Sequence, residues 1–289
     1  MRVAGFLFIR NAVKYNYPVR EAVLSLLPLC DEIFVSIGDS EDDTTGLIQS
    51  IDSPKIRISH TVWDATITDA GRILAVETDK AFDLVPPGDA DWCIYLQADE
   101  VFHEKDHALI RENMERYKDD PKVEGFLFNY RHFYGSYDYV GDSRRWYSHE
   151  IRVIRNDKQI RSYRDAQGFR KNGRKLTVKP IDAYIFHYGW VRDPSLQVEK
   201  HLAFEKFYNV DSWAQKVAAQ ETFDYSGIDS LQKFNGTHPA VMQEVIKRKN
   251  WHFSADISKK QFTLKGWLLY WVEKYTGRRL FEYRNYKVI

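Results

Sequence analysis

The sequence predicts an α/β fold: a mostly parallel sheet flanked by helices, followed by a mixed, largely helical C-terminal elaboration. Three observations predict it. Apolar runs of strand length alternate with segments of helical period over the first 132 residues, Gly, Pro and Asp punctuate the junctions, and the alternation stops after residue 132. Strand, helix, strand, helix in that order implies parallel pairing through right-handed crossovers.

Taken in order, residues 3–9 are a continuous apolar run, and 19–29 place apolar residues at helical spacing after Pro18, a favoured first-turn residue. Residues 32–37 (EIFVSI) read as a strand that stops at GDSEDD, a turn and helix-cap signal. A third strand at 55–60 follows Ser53-Pro54, a helix over 69–84 stops at Pro86-Pro87-Gly88, and 92–96 is the fourth strand. A charged helix over 104–117 leads to a fifth strand at 125–130. Beyond it, 149–155 and 183–188 read as strands, 161–175 as a basic loop, and 195–220 and 238–249 as helices. The organisation expected is one α/β domain whose site-bearing half is 1–132, with 133–241 completing it and 242–289 as a basic, aromatic extension.

The 289 residues carry 42 Lys and Arg against 41 Asp and Glu, a net charge of +1. That balance hides an asymmetry, because residues 1–140 hold 14 basic against 25 acidic side chains and 141–289 hold 28 against 16. Such a split suggests an acidic half for a cation and a basic half for phosphate or anionic lipid, or simply an uneven solvated surface. Cys30 and Cys93 both lie in apolar runs, so they read as reduced core thiols rather than a disulfide or zinc framework. The N-terminal apolar stretch is short and broken by Arg10, which gives the cytoplasm as the expected compartment, at the inner face of a membrane if the tail binds lipid.

In open α/β sheets ligands bind beyond the carboxyl ends of the strands. That geometry selects Arg10-Asn11, Gly38-Asp39-Ser40 and Gln97-Ala98-Asp99-Glu100, with Asp69 and Arg72 at a helix start on the same edge. Gln97 and Asp99 fall on one side of an extended chain. Asp99 and Glu100 are oxygen donors suited to a hard divalent cation or a ribose, and the bland alternative is a solvated strand end with a helix cap.

AGFLFIRNAVKYN, EIFVSIGDSEDDTTGLIQSI, TDAGRILAVETDKAF and DWCIYLQADEV, in this order, resemble the nucleotide-binding half of family 2 inverting glycosyltransferases. The resemblance covers residues 3–132 and, more weakly, HYGWVR at 187–192. It implies a GT-A-type, Rossmann-like fold and transfer of a sugar, with inversion, from a nucleotide-diphosphate sugar to a glycan or lipid-linked acceptor hydroxyl, in cell-envelope polysaccharide or glycolipid synthesis. By the same resemblance Arg10 lines the nucleotide pocket, Asp39 binds base or ribose, and Asp69 and Arg72 contact base and diphosphate. Asp99 is the second acid of a metal-binding Asp-x-Asp motif for Mg²⁺ or Mn²⁺, with Glu100 beside it. Gln97 replaces the first acid and supplies no charge, which puts metal dependence in question.

His187 is either a third metal ligand or diphosphate donor, as a late His is in some GT-A enzymes, or a histidine satisfied among Phe186, Tyr188 and Trp190. Arg192 is a bidentate diphosphate ligand or a helix-flanking ion-pair partner. The acceptor hydroxyl needs a base. Among four acids in 141–175, Asp165 in SYRDAQGFR lies where the family's base tends to be and is chosen over Glu150, which opens a strand; its alternative is an ion pair with Arg161, Arg164 or Arg170. The aromatic, basic loop 128–147 is the expected acceptor surface.

Residues 242–289 hold 11 basic, 4 acidic and 10 aromatic side chains. Within them 264–275 reads as an amphipathic helix, resting on an anionic membrane, on the parent domain or on a dimer partner. A catalytically inactive nucleotide-sugar or glycan binder is the rival reading, made concrete by Gln97. A phosphate-loop nucleotidyltransferase is disfavoured by the lack of its motif, and a nucleic-acid partner by the acidic half.

Overall fold

In a computed structural model of the chain, the structure describes residues 1–205, 207 and 221–289. The second part of the helix expected over 195–220 lies outside them. Elements β1 (Val3–Ile9), α1 (Val19–Leu26), β2 (Glu32–Gly38), α2 (Thr44–Gln49), β3 (Ile56–Thr61), α3 (Arg72–Asp83) and β4 (Trp92–Tyr95) alternate as the patterning requires. They are followed by β5 (Glu100–Phe102), α4 (His107–Arg116), β6 (Gly125–Tyr134), β7 (Ser136–Gly141), β8 (His149–Arg155), β9 (Ile160–Ser162), β10 (Phe169–Lys171) and β11 (Arg174–Lys175). The long β12 (Thr177–Trp190), α5 (Pro194–Glu205), β13 (Leu231–Lys233) and β14 (Lys287–Val288) come after them.

β1 is apolar throughout because both its faces are covered. Leu7 and Ile9 pack with Val19, Val23 and Leu26 of α1, whereas Ala4 and Phe6 point to Ala81 and Phe82 of α3. Side chains that alternate with period two thus feed two cores, one on each side of the sheet. Each fully buried Phe or Leu contributes about 1.5–3 kcal/mol relative to exposure. Cys30 and Cys93 are free and buried.

β3, β2, β1 and β4 run parallel in that spatial order. Next to β4 the expectation changes: the fifth strand, β6, is not its neighbour, because β8 inserts between them, antiparallel to both. β6 therefore points the same way as β4, and β12 pairs with it in parallel. The sheet is mostly parallel with helices against it, as expected, and residue 132 falls inside β6 rather than at a boundary. Two further corrections concern segments read as loops. Residues 160–175 form a small three-stranded sheet, β9–β10–β11, and much of 128–147 belongs to the β6–β7 hairpin.

β5 pairs antiparallel with β12, setting Glu100 opposite His187. This register brings Asp99 beside the carboxyl end of β12. The helix Leu264–Thr276 is capped by the Thr263 side chain at one end and Gly277, at φ 65°, at the other. No helix among the described residues is long and apolar enough to cross a membrane.

Candidate active site

A cavity of about 850 Å³ opens beyond the carboxyl ends of β1 to β4, the size range of small-molecule sites. Three strand ends build its first wall. Arg10, just after β1, donates from Nε and Nη2 to the Asp39 carbonyl and Oδ2, both at 3.0 Å, and lies 5.6 Å from the Trp63 ring centroid. Asp39, just after β2, accepts the Trp63 backbone N–H at 3.2 Å. Gly38 makes room for this shelf, since a Cβ there would come within 2.4 Å of Trp63 Nε1. Trp63 is a flat apolar face lining the cavity, suited to stacking a base. Sequence reasoning missed it, although an aromatic directly after a strand on the binding edge was the available signal. Asp69 and Arg72 are exposed on the α3 approach, where Arg72 N–H donates to the Asp69 carbonyl; Thr68 and Leu74, not they, border the cavity.

Asp99 stands at the centre. The β5–β12 register and the Tyr188 N–H donating to the Asp99 carbonyl at 2.8 Å hold it against β12. Its Oδ2 accepts from Lys200 Nζ of α5 at 3.2 Å, and Lys200 also donates to the Gly189 carbonyl at 3.0 Å. Gly189 permits this closeness: a Cβ would sit 2.9 Å from Asp99 Oδ2 and 2.7 Å from the His187 ring. Burial alone would raise the Asp99 pKa, but Lys200, His187 and Arg192 outweigh it and hold the carboxylate at about 2. Burial and the neighbouring Arg192 push Lys200 down to about 7 against the pull of Asp99.

His187 is not merely packed among aromatics. The Tyr147 carbonyl can only accept, so His132 Nε2 donates to it at 2.9 Å. Burial, with His187 adding to it, keeps His132 well below its ordinary pKa, so its Nδ1 is bare and accepts from His187 Nδ1–H at 3.2 Å. Burial also lowers the pKa of His187 against Asp99 and Glu100. Its Nε2 therefore presents a lone pair 3.7 Å from Asp99 Oδ1. Two acceptors facing each other, with the imidazole tautomer fixed from behind, are a donor set for a cation. The described residues contain no group of three or more His, Cys, Asp or Glu arranged to hold a metal. One carboxylate and one imidazole suffice for Mg²⁺ or Mn²⁺ only when phosphate oxygens complete the shell.

Glu100 is a correction to the sequence reading. Both its oxygens accept from Arg152, at 2.7 and 2.8 Å, and Tyr130 Oη donates to it at 2.8 Å. Completely buried and outside the cavity lining, it is a structural ion pair beneath the site. Glu100→Gln is expected to cost about 3–5 kcal/mol, because Arg152 would keep a buried, unpaired charge; urea unfolding measures it. Arg192 is also fully buried, its three guanidinium nitrogens have no hydrogen-bond partner among the described residues, and it lies 5.0 Å from the Tyr17 ring. It borders the site through Tyr17 rather than reaching into the cavity.

The opposite wall carries Asp165 and Glu150. Asp165 is partly exposed and accepts from Gln167 Nε2 at 3.0 Å. Glu150 is buried, with one oxygen unpartnered, and burial followed by the nearby charges of Glu100 and Asp165 raises its pKa to about 8 against Arg152.

Neither a protein-family model nor a curated protein sequence matches the chain. Among solved structures it is similar to S. aureus TarS, at 13% identity over 76% of this chain and 43% of that one, with a TM-score of 0.39. Residues 1–349 of TarS, in complex with UDP, give 13% identity, 75% and 68% coverage and a TM-score of 0.40. Glucosyl-3-phosphoglycerate synthase from Mycobacterium tuberculosis, with Mg²⁺ and UDP, gives 14%, 46% and 43%, with a TM-score of 0.28. These likenesses concern the fold. The chain spans less than half the length of full TarS, and the functional reading rests on its own cavity.

Proposed function

We propose that the protein is a family 2, GT-A-type glycosyltransferase that moves a sugar from a nucleotide-diphosphate sugar to an acceptor hydroxyl with inversion, in building a cell-envelope glycan or glycolipid. The observation that carries this reading is one cavity in which a nucleotide shelf (Arg10 and Trp63, braced by Asp39 beside it), a cation and diphosphate centre (Asp99, His187, Lys200) and a carboxylate wall (Asp165, Glu150) follow one another.

In this proposal the base lies against Trp63 and Arg10, with Asp39 at the ribose. When bound, a divalent cation held by Asp99 and His187, with Gln97 adjoining as a neutral amide, supplies Lewis-acid stabilisation of diphosphate charge. Lys200 and the buried charge of Arg192 face the same developing charge as the anomeric carbon–oxygen bond breaks, where one such donor is typically worth about 10²–10³ in rate. The oxygen lone pair of the acceptor attacks the anomeric carbon from the side opposite the diphosphate. Asp165 accepts the hydroxyl proton, and the bonding electrons leave with the nucleoside diphosphate. Glu150, protonated at neutral pH, is unable to take that proton.

Incubation with UDP-, GDP- and dTDP-sugars and candidate acceptors tests the reading. Nucleoside diphosphate release with one donor is the expected outcome. Binding without release across donors and acceptors would instead favour an inactive binder, and no binding at all would exclude both.

A further inference from the structure

We propose that the C-terminal helix Leu264–Thr276 and the segment after it dock on an anionic lipid bilayer, lying in its interface without crossing it. Leu264, Leu268, Trp271 and Tyr275 recur at spacings of four, three and four residues, so they form one stripe along the helix. All four face outward, at 90%, 66%, 46% and 82% exposure, while Tyr270 on the opposite face is buried. Trp271 and Tyr275 stack at 5.6 Å, and Phe281, 88% exposed, continues the apolar surface. A stripe with aromatic rings among aliphatic side chains is the composition of an interfacial helix.

Charge selects the occupant. Both acids of this region are spent inward: Glu273 pairs with Arg144 at 2.8 Å and Arg279 at 3.3 Å, and Glu282 pairs with Arg279 at 3.1 Å. Lys265, in the first turn of the helix, and Arg278, just beyond its Gly277 cap, are exposed and have no ion-pair partner among the described residues. The face is thus apolar with unneutralised positive flanks. A two-fold contact with a second copy would set these cations against each other, whereas anionic headgroups attract each of them.

The docked orientation has a consequence for the acceptor. Lys274 and Tyr270 hold Asp142, at 2.6 and 2.8 Å, and Arg144 is held by Glu273. The loop so gripped runs on to Tyr147 in the cavity wall. Docking therefore places the acceptor end of the cavity beside the bilayer, which suits a lipid-linked acceptor. That last step rests on the transferase reading, whereas the docking itself does not.

Co-sedimentation of the full chain with phosphatidylcholine vesicles, with and without roughly one-third phosphatidylglycerol, tests the proposal. Binding to the anionic vesicles, weakened by salt, is expected. Leu268→Glu with Trp271→Glu should reduce it by about 10-fold or more, and so should Lys265→Glu with Arg278→Glu. All four positions are exposed, so the fold should survive, as circular dichroism will report. Absence of binding to anionic vesicles, equal binding to neutral ones, or a dimer in sedimentation velocity that Trp271→Glu dissolves would each overturn it.

Discussion

With asparagine in place of Asp99, sugar transfer is expected to fall by at least about 10³-fold, with a matching loss of divalent-ion-dependent affinity for the nucleoside diphosphate. Asp99 is a buried carboxylate set among Lys200, His187 and Arg192. Burial works against its charge and the three neighbours restore it, leaving it ionised from about pH 2 upward. Asparagine keeps the shape and removes the charge, so Lys200 and Arg192 would repel each other unopposed, and His187 would lose the oxygen facing it. The stability cost follows from the same shift. A depressed carboxylate pKa adds stability above its ordinary value of 3.8, and that contribution is lost as pH falls through about 2. Asp99→Asn therefore lowers stability at pH 7 by on the order of 2 kcal/mol, which shifts the melting temperature by a few degrees without abolishing the fold. Turnover within 10-fold of the parent by a folded variant would remove Asp99 from the chemistry.

Asp165→Asn and Glu150→Gln are expected to part company. The two carboxyl groups share one wall, yet Asp165 is partly exposed, whereas Glu150 is buried and remains protonated up to about pH 8. Asp165→Asn should lower kcat by about 10²–10⁴-fold, the usual worth of a general base. Glu150→Gln replaces a neutral acid by a neutral amide and should leave kcat within a few-fold at pH 7. Its signature is stability. In the unfolded chain Glu150 ionises near its ordinary value of 4.5, but in the folded chain only near 8, so folding stability contributed by this group falls as pH rises between those values. Glutamine removes the penalty, which is on the order of 3 kcal/mol at pH 7. Glu150→Gln should thus melt higher than the parent at pH 7.5 and no higher at pH 4. A collapse of kcat in Glu150→Gln with Asp165→Asn active would exchange the two roles.

The parts of the fold that could be read from the sequence are those whose periodicity is local. β1, β2 and β4 announce themselves as nearly continuous apolar runs, edge strand β3 as a short alternation of Ile with polar residues, and their helices by apolar residues repeating at 3.6. β8 between β4 and β6, and β5 against β12, are non-local pairings, and no local pattern encodes them. β9 to β11 are two or three residues long and rich in Arg and Lys, so they carry no alternation to detect. The site divides the same way. Asp99 and Arg10 follow from the rule that ligands gather at strand ends, whereas the meeting of Asp99 with His187 and Lys200 depends on β12 and α5 folding back. Glu100 misled because a charge at a strand end has the same local signature whether it faces a ligand or a buried Arg152.

A crystal structure with UDP and Mn²⁺ bound tests the central claim most directly. The base over Trp63, with the diphosphate and the ion between Asp99, His187 and Lys200, is the result expected. A nucleotide bound elsewhere, with Lys200 still closed over Asp99, would contradict it.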